Sequence, residues 1–231
     1  MTQDEAKTLV AKRAVEFIRD GMAVGLGTGT TATLFIRELS TRRLDIRCVA
    51  SSAASHGLAQ ALGMHVTTLE ELPELDIYID GADELCAGTC PGPGSGLDLI
   101  KGGGGALLRE KIVASAARDF IVVADASKLV TKLGKFPLPV EVIRMALPLV
   151  EPKLAALGFT PKLRGSASGS GPYLTDEGNY IVDCSSTCIS DPETIAAEIR
   201  SIVGVVEHGL FLGMATMALV GGDDGVKELL A

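Results

Sequence analysis

Short apolar runs alternate with helical patterns along the first 125 residues, and this alternation constrains the fold more than any other feature. Strand-like apolar runs occur at residues 22–24, 47–50, 65–68, 75–79 and 120–123. Patterns with helical spacing flank them at residues 4–19, 30–39, 57–62 and 106–117. Such alternation is typical of a parallel sheet covered on both faces, whose ligands gather at the carboxyl ends of the strands.

The pattern changes after about residue 136. Strands are predicted at 140–145, 161–164, 180–183 and 205–211, and helices at 149–157 and 191–202. This βαββαβ order is that of a ferredoxin-like unit. An apolar strand at 215–220 and a short terminal helix at 224–230 are expected to return to the first sheet.

The sequence therefore predicts an α/β fold with two domains. A Rossmann-like, mostly parallel sheet flanked by helices would comprise residues 1–132 and 207–231. A smaller ferredoxin-like α+β domain would be inserted at residues 133–206. Because the inserted domain carries few candidate catalytic groups, we expect it to serve assembly or to cover the site.

The overall charge limits the partners of the chain. A net charge of −8 argues against a nucleic-acid partner, because binding a phosphate backbone needs a basic face. No apolar run is long enough to span a bilayer, and the first residues lack the basic start and apolar stretch of a secretion signal. The sequence thus predicts a cytoplasmic protein with no membrane partner.

Four of the five cysteines form two closely spaced pairs, Cys86 with Cys90 and Cys184 with Cys188. Three residues separate the members of each pair, a spacing that zinc ligands also use. However, no histidine lies near either pair. Free thiols are the expectation, and no metal site is predicted.

A glycine- and threonine-rich segment at residues 25–31 connects a predicted strand to a predicted helix. The unpaired N–H groups at a helix N-terminus favour an anion, and the glycines allow close approach. The segment lacks the Gly-Lys-Ser/Thr of a Walker loop, and the next strand ends in Ser51 and Ser52 without an acid to hold a ribose hydroxyl. A phosphate site and a tight turn with capping threonines both remain open.

Three carboxylates fall within five residues directly after the strand at 75–79, at Asp80, Asp83 and Glu84. Carboxylates at the end of a strand can bind sugar hydroxyls, move protons or hold a cation. The alternative is an ordinary acidic turn, since Asp-Gly pairs favour turns. Glu84 is expected to be the solvated or structural member of the three.

Four consecutive glycines follow Lys101 and open the helix that carries Glu110. Each glycine costs conformational entropy, so a functional requirement for the backbone is expected there. Glu110 lies roughly one turn into the helix, where the positive helix end favours an ionised carboxylate. Alternatively, Glu110 lies on a solvated face between Arg109 and Lys111.

These three loops are expected at one edge of one sheet, where they would supply an anion site, carboxylates, a lysine and a candidate base. His56, His65 and His208 lie outside any nucleophile motif. The combination favours proton transfer next to a carbonyl on a phosphorylated sugar.

The segments at residues 25–32, 80–84 and 101–112 resemble the signature segments of the ribose-5-phosphate isomerase A family. The resemblance continues at residues 124–128, 133–142, 175–180 and 204–211, so it spans nearly the whole chain. It implies an aldose-ketose isomerase of the pentose phosphate pathway that interconverts ribose 5-phosphate and ribulose 5-phosphate through an enediolate. It also implies no metal or cofactor, a sugar phosphate as the small-molecule partner, and a homodimer or homotetramer. The stretch 86–95 is longer than is usual in the family and is expected to bulge outward.

The resemblance further implies roles for individual residues. The phosphate would be bound by Thr28, Gly29, Thr30 and Thr31. Asp80 and Asp83 would hold sugar hydroxyls and assist ring opening, and Glu110 would move a proton between C2 and C1. Lys101 and the amides that follow it would stabilise the enediolate. The remaining substrate contacts would be Gly81, Ala82, Gly102, Gly103, Gly104 and Lys128.

Two other functions remain open at this point. A sugar-phosphate-binding module of a transcription regulator would bind its ligand without turnover, but the sequence shows no helix-turn-helix or basic arm. A coenzyme A transferase uses a glutamate nucleophile on a related fold, but it would need a second half for the acyl partner.

Overall fold

A seven-stranded sheet forms the centre of the computed structural model, which describes residues 1–88 and 96–231. Its strands are β1 (Ala23–Leu26), β2 (Arg47–Ala50), β3 (Val66–Thr67), β4 (Leu75–Asp80), β7 (Ala117–Asp125), β14 (Met217–Gly222) and β15 (Gly225–Leu230). The order is β15-β14-β7-β4-β1-β2-β3, and all neighbours are parallel except β14 and β15. β1 and β4 therefore lie side by side at the centre, and both end at the same edge.

Helices and a second sheet cover the two faces of this sheet. The first four helices are α1 (Gln3–Val15), α2 (Thr30–Thr41), α3 (Ala53–Ala61) and α4 (Leu107–Ser115). Alternation along β4 sends Ile77 and Ile79 into the core beneath α1, α2 and α3, and sends Tyr78 to the opposite face. On that face α4 packs beside the second sheet, with Val113 and Phe211 in the same apolar cluster as Tyr78.

The second sheet has the order β13-β6-β5-β8. Its strands are β5 (Glu84–Ala87), β6 (Leu97–Ile100), β8 (Leu129–Val130) and β13 (Leu210–Ala215). The sequence predicted no strand at residues 84–87 or 97–100, because each is only four residues long and pairs with distant segments. The loop expected to bulge between them lies largely outside the described residues.

The predicted ferredoxin-like unit is confirmed. It comprises β9 (Leu138–Val142), α5 (Leu147–Ala156), β10 (Thr160–Leu163), β11 (Tyr180–Ser185), α6 (Pro192–Ser201) and β12 (Val205–His208). Its antiparallel sheet has the order β10-β11-β9-β12, and Val140, Leu154 and Ile199 are buried in its core. The α/β class of the whole chain is likewise confirmed, whereas the domain boundaries at residues 132/133 and 206/207 stay a prediction.

The terminal helix predicted at residues 224–230 is wrong, because this segment is the strand β15. Gly225 has a φ of +99° and completes a tight turn that pairs β15 with β14. Val226 and Leu229 then pack on opposite faces of the large sheet, as the period of two in a strand requires. Within residues 1–88 and 96–231, no helix combines the length and the apolar character needed to cross a bilayer.

Candidate active site

The three loops singled out in the sequence meet in one cleft at the carboxyl ends of β1 and β4. The predicted site residues that line it are Thr28, Gly29, Thr30, Thr31, Gly81, Ala82, Asp83, Lys101, Gly102, Gly103, Gly104, Glu110 and Lys128. Asp80 is fully buried beneath the cleft surface, where it contacts Lys101 and Thr28. The structure thus brings all the predicted side chains together.

The loop between β1 and α2 presents a helix N-terminus to the cleft. Gly29 precedes α2 with a φ of +102°, and no side chain caps the first amides of the helix. These amides, with the hydroxyls of Thr30 and Thr31, form a place for an anion. A Cβ atom on Gly27 would lie 2.2 Å from Oδ1 of Asp80, so only glycine fits beside that carboxylate.

Asp80 ends β4, and protein donors occupy its carboxylate. It accepts hydrogen bonds from Thr28 N at 2.9 Å, from Gly81 N at 2.7 Å, from the Tyr78 hydroxyl and from Lys101 Nζ at 2.8 Å. Burying a carboxylate is tolerated when it is paired and hydrogen-bonded in this way. Asp80 consequently fixes the position of the loop between β1 and α2, through Thr28, and the position of Lys101.

Lys101 follows β6 directly, and its side chain is almost completely buried. Its Nζ donates to Asp80 and, at 2.6 Å, to the carbonyl oxygen of Gly81. Burial alone would lower the pKa of Lys101, but the charges of Asp80 and Glu110 outweigh burial and raise it above its ordinary value. Lys101 therefore provides a fixed positive charge, and two of its three N–H donors are already in use.

Glu110 lies in the first turn of α4 and is 3% exposed. Its Oε2 lies 3.4 Å from Lys101 Nζ and has no hydrogen-bond partner among the described residues. Burial raises the pKa of Glu110 to about 8, Lys101 opposes this shift, and Asp80 and Asp83 add to it. Burial therefore outweighs any preference of the helix end for the ionised carboxylate. A buried carboxyl group with a pKa near neutrality suits a general base.

The glycine loop after Lys101 is held close to its neighbours. Asp83 accepts a hydrogen bond from Gly103 N at 2.7 Å, which joins the acidic loop to the glycine loop. Gly105 has a φ of +85°, and a Cβ atom there would lie 2.3 Å from the Tyr173 hydroxyl. Glu84, by contrast, is buried away from this cleft and accepts from Gly134 N and Phe136 N, so it is structural and not solvated.

Two cleft residues were not identified from the sequence. Lys7 reaches the cleft from α1, and Asp125 reaches it from the end of β7. Asp125 also accepts a hydrogen bond from Ser127 N at 3.0 Å, which begins the short 3-10 helix that carries Lys128. The position of Asp125 at a strand end could have identified it, whereas nothing local distinguishes Lys7 from the other charged residues of α1.

The cysteines do not form a metal site in the part of the chain described. Cys48, Cys184 and Cys188 are free thiols, as expected. Cys86 is disulfide-bonded, so the expectation is wrong for that residue, and Cys90 lies outside the described residues. Within residues 1–88 and 96–231, no group of three or more His, Cys, Asp or Glu side chains is arranged to hold a metal ion.

A helix N-terminus for an anion, a buried charged lysine and a buried glutamate share one cleft at the edge of a parallel sheet. This combination suits an enzyme that transfers a proton on a small anionic substrate. Residues 47–225 match the ribose 5-phosphate isomerase A (phosphoriboisomerase A) family. The chain belongs to this family, and the resemblance seen in its motifs is confirmed.

Similar proteins and similar solved structures match this chain along nearly its whole length. The ribose-5-phosphate isomerase A of Roseiflexus castenholzii is 49% identical over 225 residues, which are 95% of this chain and 92% of that protein. The structure of ribose 5-phosphate isomerase A from Methanocaldococcus jannaschii is 43% identical, with a TM-score of 0.92 and 99% of both chains covered. A D-ribose-5-phosphate isomerase in complex with phospho-erythronic acid is 37% identical, with a TM-score of 0.94 and 100% of both chains covered.

Proposed function

We propose that this enzyme interconverts D-ribose 5-phosphate and D-ribulose 5-phosphate through an enediolate, with Glu110 as the base. The observation that carries the proposal is the buried Oε2 of Glu110, which has no hydrogen bond from the described residues and lies 3.4 Å from the charged Lys101. A base must be free to accept a proton, and an enediolate needs a positive charge beside it.

The phosphate group binds at the N-terminus of α2, where the amides of residues 29–31 and the threonine hydroxyls converge. Lys7 and Lys128 line the same cleft and add positive charge. Phospho-erythronic acid, the ligand of one similar isomerase, supports this arrangement. It carries a phosphate at one end and a planar carboxylate at the other, where the substrate would develop its enediolate.

The chemical step moves one proton between carbons and one between oxygens. Glu110 removes the proton from C2 of ribose 5-phosphate, and the electrons flow onto the carbonyl oxygen at C1. Glu110 then returns its proton to C1, while the hydroxyl proton of C2 is transferred to the oxygen of C1. The aldehyde becomes an alcohol and the alcohol a ketone, so no atom is gained or lost.

Lys101 and the acidic loop act on the oxygens during this step. The third N–H of Lys101 is the donor left for the enediolate, since Asp80 and Gly81 occupy the other two. Asp83 lines the cleft and binds the sugar hydroxyls, and Asp80 keeps Lys101 in place. A cytoplasmic enzyme assembled as a homodimer or homotetramer is proposed on the family resemblance alone.

The test measures ribulose 5-phosphate formation from ribose 5-phosphate, with a chelator present, in the wild type and in Glu110→Gln. The variant should lose a hundredfold or more in kcat, on the order expected for a missing base, while still binding inorganic phosphate. Glu198→Gln, an exposed change on α6, is the matched control and should leave kcat unchanged. A wild type that binds ribose 5-phosphate without converting it would support the binding-module alternative instead.

A further inference from the structure

Arg164, which follows β10 in the ferredoxin-like unit, reaches the glycine loop of the active site. Its Nη1 donates to the carbonyl oxygens of Gly102 at 2.9 Å and Gly103 at 3.2 Å. Its Nε and Nη2 both bind the carboxylate of Asp183, at 2.9 and 2.5 Å. The plane of an arginine held by two parallel bonds is fixed, so Arg164 can impose a direction on these carbonyls.

Tyr173 extends this set of contacts to the next residue of the loop. Its hydroxyl lies 3.3 Å from the carbonyl oxygen of Gly104, and its ring lies under the Arg164 guanidinium at 5.9 Å. Donors from one unit therefore hold three consecutive carbonyl groups in the other. None of these donors lines the cleft itself among the residues described.

The direction of a carbonyl sets the direction of the amide beside it. In a planar trans peptide, the C=O of one residue and the N–H of the next point opposite ways. Gly103 N–H donates to Asp83, and Gly105 N–H donates to Gly102 at 2.9 Å. Within the described residues Gly104 N–H has no partner, and Gly104 lines the cleft.

We infer that Arg164 is a positioning residue for the isomerisation, because it holds the Gly103 carbonyl so that Gly104 N–H points at the enediolate. This inference rests on the proposed function. It assigns to the inserted unit a part in transition-state stabilisation, in addition to assembly or cover. The donor itself is the backbone, and Arg164 acts only through the peptide plane it orients.

The test compares Arg164→Met and Arg164→Lys with Arg144→Met, a control in the same unit whose guanidinium stacks on Tyr180. For each protein, kcat and KM for ribose 5-phosphate are measured, with the dissociation constants of phospho-erythronic acid and inorganic phosphate and the melting temperature. Both Arg164 variants should lose about 10- to 100-fold in kcat, in line with a misplaced donor. Binding of phospho-erythronic acid should weaken by a similar factor, whereas binding of phosphate and the control variant should change less than about twofold.

Several results would overturn the inference. Wild-type kcat in Arg164→Met would do so, and so would equal losses for phosphate and phospho-erythronic acid, which indicate general damage. Full kcat in Arg164→Lys would show that the positive charge at this position sustains the rate, and that the planar guanidinium held by Asp183 is not required. If Arg164→Met does not fold, Arg164→Lys and Asp183→Asn carry the same comparison. A wild type without isomerase activity would instead contradict the proposed function, before any Arg164 variant is considered.

Discussion

The ammonium group of Lys101 lies 3.4 Å from Oε2 of Glu110, and both side chains are almost completely buried. Lys101 directs its short hydrogen bonds to Asp80 and to the Gly81 carbonyl, and its effect on Glu110 lowers the pKa of that carboxyl by less than burial raises it. This arrangement explains why burial prevails and the pKa of Glu110 is raised to about 8. The carboxyl group is then a stronger base than an exposed glutamate, yet it still ionises near neutral pH.

The rate should consequently depend on pH through Glu110. Only the ionised carboxylate can accept the C2 proton, so kcat/KM for ribose 5-phosphate should rise with pH and level off above about 8. Initial rates between pH 5.5 and 9.5 would measure this rise of kcat/KM with pH. The residual activity of Glu110→Gln should not rise with pH in this way, whereas the activity of the exposed Glu198→Gln control should. A wild-type profile that is flat between pH 6 and 9 would contradict the assignment of Glu110 as the base.

The same pKa shift should affect stability in the opposite direction. The folded pKa of Glu110 is raised from 4.5 to about 8, so between these values the folded chain holds a proton that the unfolded chain has released. Stability from this group is complete below the unfolded pKa and is lost as pH rises through the folded one. Glu110→Gln cannot ionise, so its free energy of unfolding relative to the wild type should increase by up to about 1.4 kcal/mol per pH unit within this window.

Urea unfolding of both proteins at pH 6, 7, 8 and 9 would measure that difference. Other titrating groups are common to the two proteins and cancel in the comparison. Parallel stability curves across this range would show that the Glu110 carboxyl has an ordinary pKa when the protein is folded.

Gly27→Ala should damage the site through Asp80. The new Cβ atom would lie 2.2 Å from Oδ1 and 2.6 Å from Cα of Asp80, and four donors hold that carboxylate in place. We expect a loss of about 100-fold in kcat/KM, as for other displacements of about 1 Å. Gly57→Ala is the matched control, since it lies within α3 with nothing inside 4 Å, and it should stabilise the protein by roughly 0.5–1 kcal/mol with unchanged activity. Similar kinetics for the two variants would contradict the steric argument.

The fold could be predicted from the sequence where local patterns decide the structure. β1 and β4 are apolar runs that end in glycine-rich or acidic loops, so both the strands and the sheet edge were recognisable. β5 and β6 were not, because four-residue strands become strands only through pairing with each other and with distant segments. In β15, the residues Lys227, Glu228, Leu229 and Leu230 favour a helix, and pairing with β14 overrides that local preference.

The residues of the site also fall into those that the sequence identified and those that it did not. Lys101 precedes and Glu110 follows four consecutive glycines, and Asp80 lies at the end of an apolar run, so their positions in the chain identified them. Lys7 and Arg164 could not be identified like this, because their neighbours in the site are distant in sequence. Arg164, for example, is 62 residues from Gly102, to which it donates. The sequence therefore identified the residues proposed for catalysis more readily than the residues that hold them in position.

Glu84 offers a test of this distinction, because it is the one carboxylate of the acidic segment that faces away from the cleft. It is buried at the start of β5 and accepts hydrogen bonds from Gly134 N at 2.7 Å and Phe136 N at 2.5 Å, which attach the chain before β9 to the second sheet. In Glu84→Gln one of these two N–H groups would face an NH₂ group, and leaving it unsatisfied should cost about 1–3 kcal/mol of stability.

Urea unfolding and steady-state kinetics on the folded variant would separate stability from catalysis. We expect Glu84→Gln to unfold at lower urea with kcat within about twofold of the wild type, because its contacts support the fold and do not reach the substrate. Asp83→Asn changes the preceding residue, which lines the cleft, and should show the reverse: near-normal stability and a reduced kcat/KM. A large loss of kcat in Glu84→Gln at unchanged stability would place Glu84 within the catalytic site.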